Sequence, residues 1–323
     1  HVNLSWTPGA DVTHITYANT NDAENIQTIN LTDEEKAAGK YTLGGLNPTS
    51  TYTITIYKND VKRGQLQVTT PAAMPAANFK YSLASDVTVI SQDLIDEIAE
   101  KAKAAAGNET NYSATIGIPA GAKVALYGIN DSDGGKTNVT IPDGMSVTFF
   151  GLAGGDAPTI NLDKNFDIAG SHAFIKFQNV KLEENGAGYF INQSKACTVS
   201  EFTLENCEVS NLKTSFFRLQ GSDAKSIGKL TLKNSIFTKL CAGYGFIHVD
   251  AGSGAGHVDN VEIDGCTFNS ICVTGKVFIF SKKTDMQDIT IKNSTFYNCN
   301  GNGQFFVDFN VDTFGPSTFT IEN

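Results

Sequence analysis

Apolar and polar residues alternate in short runs over most of this chain, the two-residue period of strands that bury one face. Val2, Leu4 and Trp6 alternate with polar neighbours, and the runs His14-Ile15-Thr16-Tyr17 and Ile26-Gln27-Thr28-Ile29 follow with turn residues between them. Next, Leu46-Asn47-Pro48-Thr49-Ser50-Thr51-Tyr52 leads into Thr53-Ile54-Thr55-Ile56. Residues 1–70 are therefore predicted to form a small antiparallel β unit. Two prolines among small residues, from Pro71 to Ala77, predict a linker over 71–80. The period then changes once. Leu94, Ile98 and Ala102 recur four residues apart, Ser91 stands at the N-cap with Ile90 and Ile95 placed to staple it, and Gly107 ends the run. This spacing predicts one amphipathic helix over 91–106, whose apolar stripe must cover something.

From about residue 115 the strand pattern repeats itself. Thr203-Leu204-Glu205-Asn206, Thr231-Leu232-Lys233-Asn234, Thr290-Ile291-Lys292-Asn293 and Thr320-Ile321-Glu322-Asn323 align with Glu262-Ile263-Asp264-Gly265 and with the runs ending at Gly151 and Asn179. The final positions, 151, 179, 206, 234, 265, 293 and 323, lie 28, 27, 28, 31, 28 and 30 residues apart. Each is Asn or Gly, the residues that enter left-handed backbone most cheaply, so a sharp bend is expected there, with a looser earlier copy ending at Gly128. A second apolar strand comes later in the repeat: Phe216-Phe217-Arg218-Leu219, Phe246-Ile247-His248-Val249, Val277-Phe278-Ile279-Phe280 and Phe305-Phe306-Val307-Asp308-Phe309. One such repeat cannot bury its own apolar face, but stacked copies can. A leucine-rich repeat would show a Leu-x-x-Leu-x-Leu frame, and a propeller blade needs about 40–50 residues. What remains is an all-β chain whose residues 81–323 form a parallel β-helix of about seven coils, about 4.8 Å apart. The 91–106 helix then covers the open first coil, and Asn amides stack along the bends. Both ends are expected to be trimmed, since a first strand is missing before His1 and the last coil stops on a bend without a lid.

Two resemblances rest on these residues. The Leu46-x-Pro48-x-x-x-Tyr52 run, a tyrosine corner, together with the Leu4-Ser5-Trp6 strand, resembles a fibronectin type III module. The Asn-marked bends, short stacked strands and amphipathic helix resemble the right-handed parallel β-helix of the pectate lyase superfamily. The combination is similar to secreted bacterial proteins linked to polysaccharide use. It implies a secreted or cell-surface location, after removal of a signal or lipoprotein leader that could also anchor the chain, and a polysaccharide partner. Modules of the first kind serve as spacers or docking units. The superfamily holds lyases, hydrolases, adhesins and phage tailspikes, so the likeness constrains architecture more than activity. A lyase of this kind implies calcium held by several acids beside an Arg or Lys base. A hydrolase implies a paired Asp-Asp, and this chain has none.

Charge removes one class of partner. The chain carries 34 acidic against 24 basic residues, a net charge of −10, and its only arginines are Arg63 and Arg218. That balance argues against nucleic acid, where phosphate neutralisation supplies most of the affinity. No apolar stretch approaches about 18 residues, so no transmembrane helix is predicted. Arg218 and His248 occupy equivalent places in successive repeats, and Asp308 follows within about one position, which makes these three the candidate catalytic residues. Asp250 joins them as a candidate substrate contact, and Tyr189, Tyr244 and Tyr297 are candidates for stacking on sugar rings. The same row also reads as a solvated face, because Ile279 interrupts it. His248 reads either as a general base or as a hydrogen-bonding surface residue.

Calcium is a possible cofactor, but no metal ligands are assigned. Asn130-Asp131-Ser132-Asp133-Gly134-Gly135 resembles part of a calcium loop, yet it lacks the EF-hand frame and reads as a polar turn. Asp163 and Asp167 flank another turn without a third carboxylate nearby. Of the six cysteines, Cys241 and Cys272 each lie seven residues after a bend and should stack on neighbouring coils. They are expected as buried free thiols, since parallel in-register side chains do not give a disulfide dihedral, and no zinc frame appears. Polysaccharide binding is therefore the leading expectation, ahead of a calcium-dependent lyase using Arg218 or a neighbouring Lys, with an adhesin for a host protein third. Binding precedes cleavage because no complete catalytic set is present.

Overall fold

In the computed structural model the repeat becomes one turn of a parallel β-solenoid. The structure describes residues 2–8, 11–252, 255–310 and 314–323, and the chain folds as two compact units, His1–Ala73 and Met74–Asn323. In the second unit the strands form three walls of nine, eight and seven members, each turn contributing one strand to each wall. Every neighbouring pair in these walls is parallel and in register, as in Thr203↔Thr231, Val209↔Phe237 and Phe217↔Ile247. The seven-stranded wall therefore spans six full turns from its first strand to its last.

The bends explain why the winding is regular. Asn179, Asn206, Asn234, Gly265 and Asn293 all have φ between 48° and 66°, in the left-handed region. The same bond recurs at each: Asn206 N–H donates to the Lys233 carbonyl, Asn234 to Asp264, Gly265 to Lys292 and Asn293 to Glu322. The residues thus stand in a column. Its amide ladder is partial: Asn206 Nδ2 donates to Asn179 Oδ1 at 3.2 Å, whereas Asn293 Nδ2 donates to the Asp264 carboxylate at 2.9 Å. Gly265 has no amide to extend the ladder, and a Cβ there would lie 2.5 Å from Asn234 Oδ1. Two bends were misread from sequence. Gly151 heads the column but does not have positive φ; it is glycine because a Cβ would lie 1.9 Å from the Asn179 carbonyl oxygen. Gly128 is no member at all, since it pairs with Thr137 in a short antiparallel hairpin, and Ile118 is the residue in register with Gly151.

Apolar residues fill the interior in columns. Phe190, Phe216, Phe246, Phe278 and Phe306 stack with centroid spacings of 5.5, 4.6, 4.7 and 4.7 Å. Phe237, Phe268 and Phe296 form a second stack at 4.9 and 4.7 Å, edge-on to the first. Rings offset or crossed in this way avoid face-to-face repulsion while burying large apolar area.

The first turn is closed as its sequence predicts. The helix runs from Gln92 to Ala106, with Ser91 Oγ accepting the Leu94 N–H and Gly107 in left-handed conformation after it. Ile95, Ile98, Ala99 and Ala102 are buried against the first layer. Gln92 does more than begin the helix: its side-chain amide accepts from Thr140 N–H at 2.7 Å and donates to Thr140 O at 3.0 Å, standing in for a strand at that wall's open edge. The linker expected over 71–80 is shorter than predicted, because Phe79–Ser82 already pairs with the first long strand and Thr115 Oγ1 donates to the Pro75 carbonyl.

In the N-terminal unit a four-stranded antiparallel sheet and a two-stranded one enclose Leu4, Val12, Ile15, Leu43 and Ile54. Tyr52 Oη accepts the Asn47 N–H at 2.9 Å, the bond expected of the corner. A short helix, Asp33–Ala38, is an addition to the sequence reading, set by a capping box between Thr32 and Glu35. No helix among the described residues is long and apolar enough to cross a membrane.

Candidate functional site

Strand alternation in the seven-stranded wall turns one side chain of each turn outward. Register places Thr140, Asp167, Asn192, Arg218, His248, Phe280 and Asp308 in a single outward row, with apolar residues such as Ile191, Phe217, Ile247 and Ile279 pointing in. The sequence reading is corrected by one position here. Ile279 does not interrupt the row; it is fully buried, and Phe280 takes the outward place between His248 and Asp308.

Four of the candidate residues converge. Arg218 holds Asp250 with two bonds, Nε to Oδ1 at 3.2 Å and an Nη to Oδ2 at 2.7 Å, the planar fork that suits a carboxylate. The guanidinium carbon lies 3.8 Å from the centre of the Tyr244 ring. His248 Nε2 is 3.7 Å from Asp250 Oδ2, and its Nδ1 accepts the Gly245 N–H at 3.2 Å. The His248 ring stacks on Phe280 at 4.5 Å. Burial disfavours the Asp250 charge, but His248 and Arg218 overcome it and bring the pKa down to about 2. For Arg218 the loss of solvent is likewise outweighed by Asp250, and its pKa is raised. Tyr189 is raised by burial, an effect the nearby Arg218 charge opposes.

This geometry bears on the chemistry expected of these groups. A base needs a free lone pair facing the substrate. Arg218 has none, being charged and paired, and the two nitrogens of His248 are occupied by Gly245 and directed at Asp250. Asp308 is not part of the cluster; Phe280 separates it from His248 in the row, and its Oδ1 accepts the Asn310 N–H. Tyr297 lies elsewhere, on the eight-stranded wall opposite Asn269, and is exposed.

Beside the cluster lies an open cleft of about 430 Å³. Tyr244, His248 and Phe280 give it aromatic faces, Asp250 and Asp308 give it acceptors, and Lys276 and Lys282 give it ammonium groups. Sequence reasoning missed Phe280, Lys276 and Lys282. Phe280 was legible in the Phe278-Ile279-Phe280 alternation once register was fixed, whereas the lysines stand on the segments flanking a strand and carry no periodic signal.

Asn130–Gly135 is a tight hairpin turn: Asn130 Oδ1 accepts from the Ser132 N–H, and Asp133 Oδ1 from the Gly135 N–H. Asp163 pairs with Lys136 and accepts from Asn185 at 2.6 Å, while Asp167 accepts from Asn138 and Asn165. Among the described residues no group of three or more His, Cys, Asp or Glu side chains is placed to hold a metal ion. All six cysteines are free thiols, with Cys241 and Cys272 fully buried on successive turns. No family model, curated protein or solved structure matches the chain.

Proposed function

We propose that the protein is an extracellular or surface-attached polysaccharide binder, a right-handed β-helix of the pectate lyase-like kind behind a fibronectin type III-like spacer, and that the glycan lies in the cleft beside Tyr244. The observation that carries this reading is the grouping of aromatic with charged and hydrogen-bonding side chains around one cleft: Tyr244, His248 and Phe280 beside Asp250, Lys276, Lys282 and Asp308. Sugar rings offer the matching surface, apolar on the C–H face and polar at the rim. Turns about 4.8 Å apart present such groups at intervals comparable to one pyranose ring. Binding is favoured over β-elimination because Arg218 and Asp250 are spent on each other.

Affinity electrophoresis and calorimetry of the full chain against a panel of neutral and uronic polysaccharides test the reading. At least one should be bound, and Tyr244→Ala or Phe280→Ala should each weaken it by up to about tenfold, the worth of one aromatic contact. Failure of the whole panel to bind, or binding indifferent to both substitutions, refutes the assignment. Release of unsaturated product from a uronic polymer with calcium, lost in Arg218→Ala, replaces it with a lyase.

A further inference from the structure

The N-terminal unit carries a hollow that its core does not use. In the four-stranded sheet, residues paired directly across strands share a face. The row Ile29, Ile15 and Ile56 and the row Gln27, Tyr17 and Ile54 therefore both face inward, with Ile15 and Ile54 buried in the core. Asp22–Asn30 is the edge strand of this sheet. Along it the inward face changes from Ile29 to Gln27 and Asn25, which are both exposed. Carboxamides at positions that alternation assigns to the core add nothing to apolar packing.

These side chains border a hollow of about 380 Å³ between the Asn19–Gln27 segment and the corner at Gly45–Tyr52. Tyr17 and Tyr52 give it aromatic surface, their rings 6.2 Å apart at 56°, and the Tyr52 hydroxyl is held by the Asn47 N–H. The rim is made of amides. Gln27 Nε2 donates to Asn25 Oδ1 at 2.7 Å, and Asn25 Nδ2 donates to Asp22 Oδ2 at 3.2 Å, so the three side chains are held as one relay. Each amide nitrogen has two N–H groups and spends one in the relay, which leaves one on each for a ligand. Asn19, Asn21 and Asn47 add three more carboxamides. Among the described residues that line the hollow none is Lys or Arg, and Asp22 is the one charge.

We infer that this hollow is a second saccharide site, for a neutral sugar. A carboxamide presents a donor and an acceptor in one plane and engages adjacent hydroxyls of a sugar ring with both, while the Tyr17 ring meets the apolar C–H side. The sugar is neutral because an anionic one would meet Asp22 and find no cation. The N-terminal unit is then a binding module and not only a spacer. This assignment does not rest on the cleft beside Tyr244.

Calorimetry of the full chain tests it, with the cleft first disabled by Tyr244→Ala and Phe280→Ala together. The probes are glucan, mannan, xylan and galactan, with polygalacturonate as the anionic comparison. The cleft-disabled chain should bind at least one neutral polymer, and more tightly than polygalacturonate. Adding Asn25→Ala and Gln27→Ala should weaken that binding at least about tenfold, since two amide contacts are lost. Both residues are exposed on an edge strand, so folding is retained and circular dichroism checks it. Thr28→Ala, on the opposite face of the same strand, should leave the affinity unchanged. A cleft-disabled chain that binds no neutral polymer, prefers polygalacturonate, or keeps its affinity without the Asn25 and Gln27 amides overturns the inference. Neutral binding lost in Asn25→Ala with Gln27→Ala but indifferent to Tyr244→Ala and Phe280→Ala refutes the cleft and leaves this site standing.

Discussion

At the scale of single residues the most consequential side chain is Asp250. It joins Arg218 from the preceding turn to His248 on its own turn, and it stands only 19% exposed. Its folded pKa of about 2 lies below the unfolded value of about 3.9, so its charge stabilises the fold above that unfolded value, and the benefit is lost as pH falls through the folded one. The difference corresponds to about 2–3 kcal/mol. Chemical denaturation followed from pH 6 to about pH 2 should therefore show Asp250→Asn less stable than wild type by roughly that amount at the upper end. The two curves should converge at the acid end. Parallel curves would mean that Asp250 contributes no charge-dependent stability. Arg218, His248, Asp250 and Tyr244 were each singled out from sequence, yet the bonds among them were not. Arg218 and Asp250 lie 32 residues apart in the chain, and only winding brings them to 2.7 Å.

At the scale of the element, the bends carry the repeat. Asn234 sits at φ 48°, where an ordinary side chain is strained by about 1–2 kcal/mol. Asn234→Ala should cost about that much in urea denaturation, while Asn234→Gly should stay within about 0.5 kcal/mol, because glycine has no Cβ to strain. Equal losses for both would show that the amide, and not the backbone, matters there. The Asn and Gly column was legible because those residue types mark left-handed backbone. Other left-handed columns were not: Asn211, Lys239, Ser270 and Asn298 form one, and Cys241, Cys272 and Asn300 another. Lys, Ser and Cys have no bias toward that conformation, so stacking on the neighbouring turn imposes it. The helix from Gln92 to Ala106 was legible to within a residue, since its cap, staple and stop are local. The one-residue error at Ile279 has a similar origin: four apolar residues in succession, Val277 to Phe280, fit either face, and only pairing with Ile247 decides.

At the scale of the whole molecule, two separate cores imply two folding units. Calorimetry should resolve two transitions. Ile98→Ala, which empties space beneath the capping helix, should lower the solenoid transition with a cost of about 2–5 kcal/mol and leave the other unmoved. Ile54→Ala should do the reverse. A single transition shifted by both would contradict independent folding. The sequence by itself determined the all-β class, the turn length, the bends and the lid, because each follows from short-range chemistry: alternation, left-handed propensity and helix capping. Tertiary structure alone decided which residues share the outward row and which acid neutralises Arg218. Those depend on register between turns some 30 residues apart, and register is set by how every buried side chain fits the layer above it.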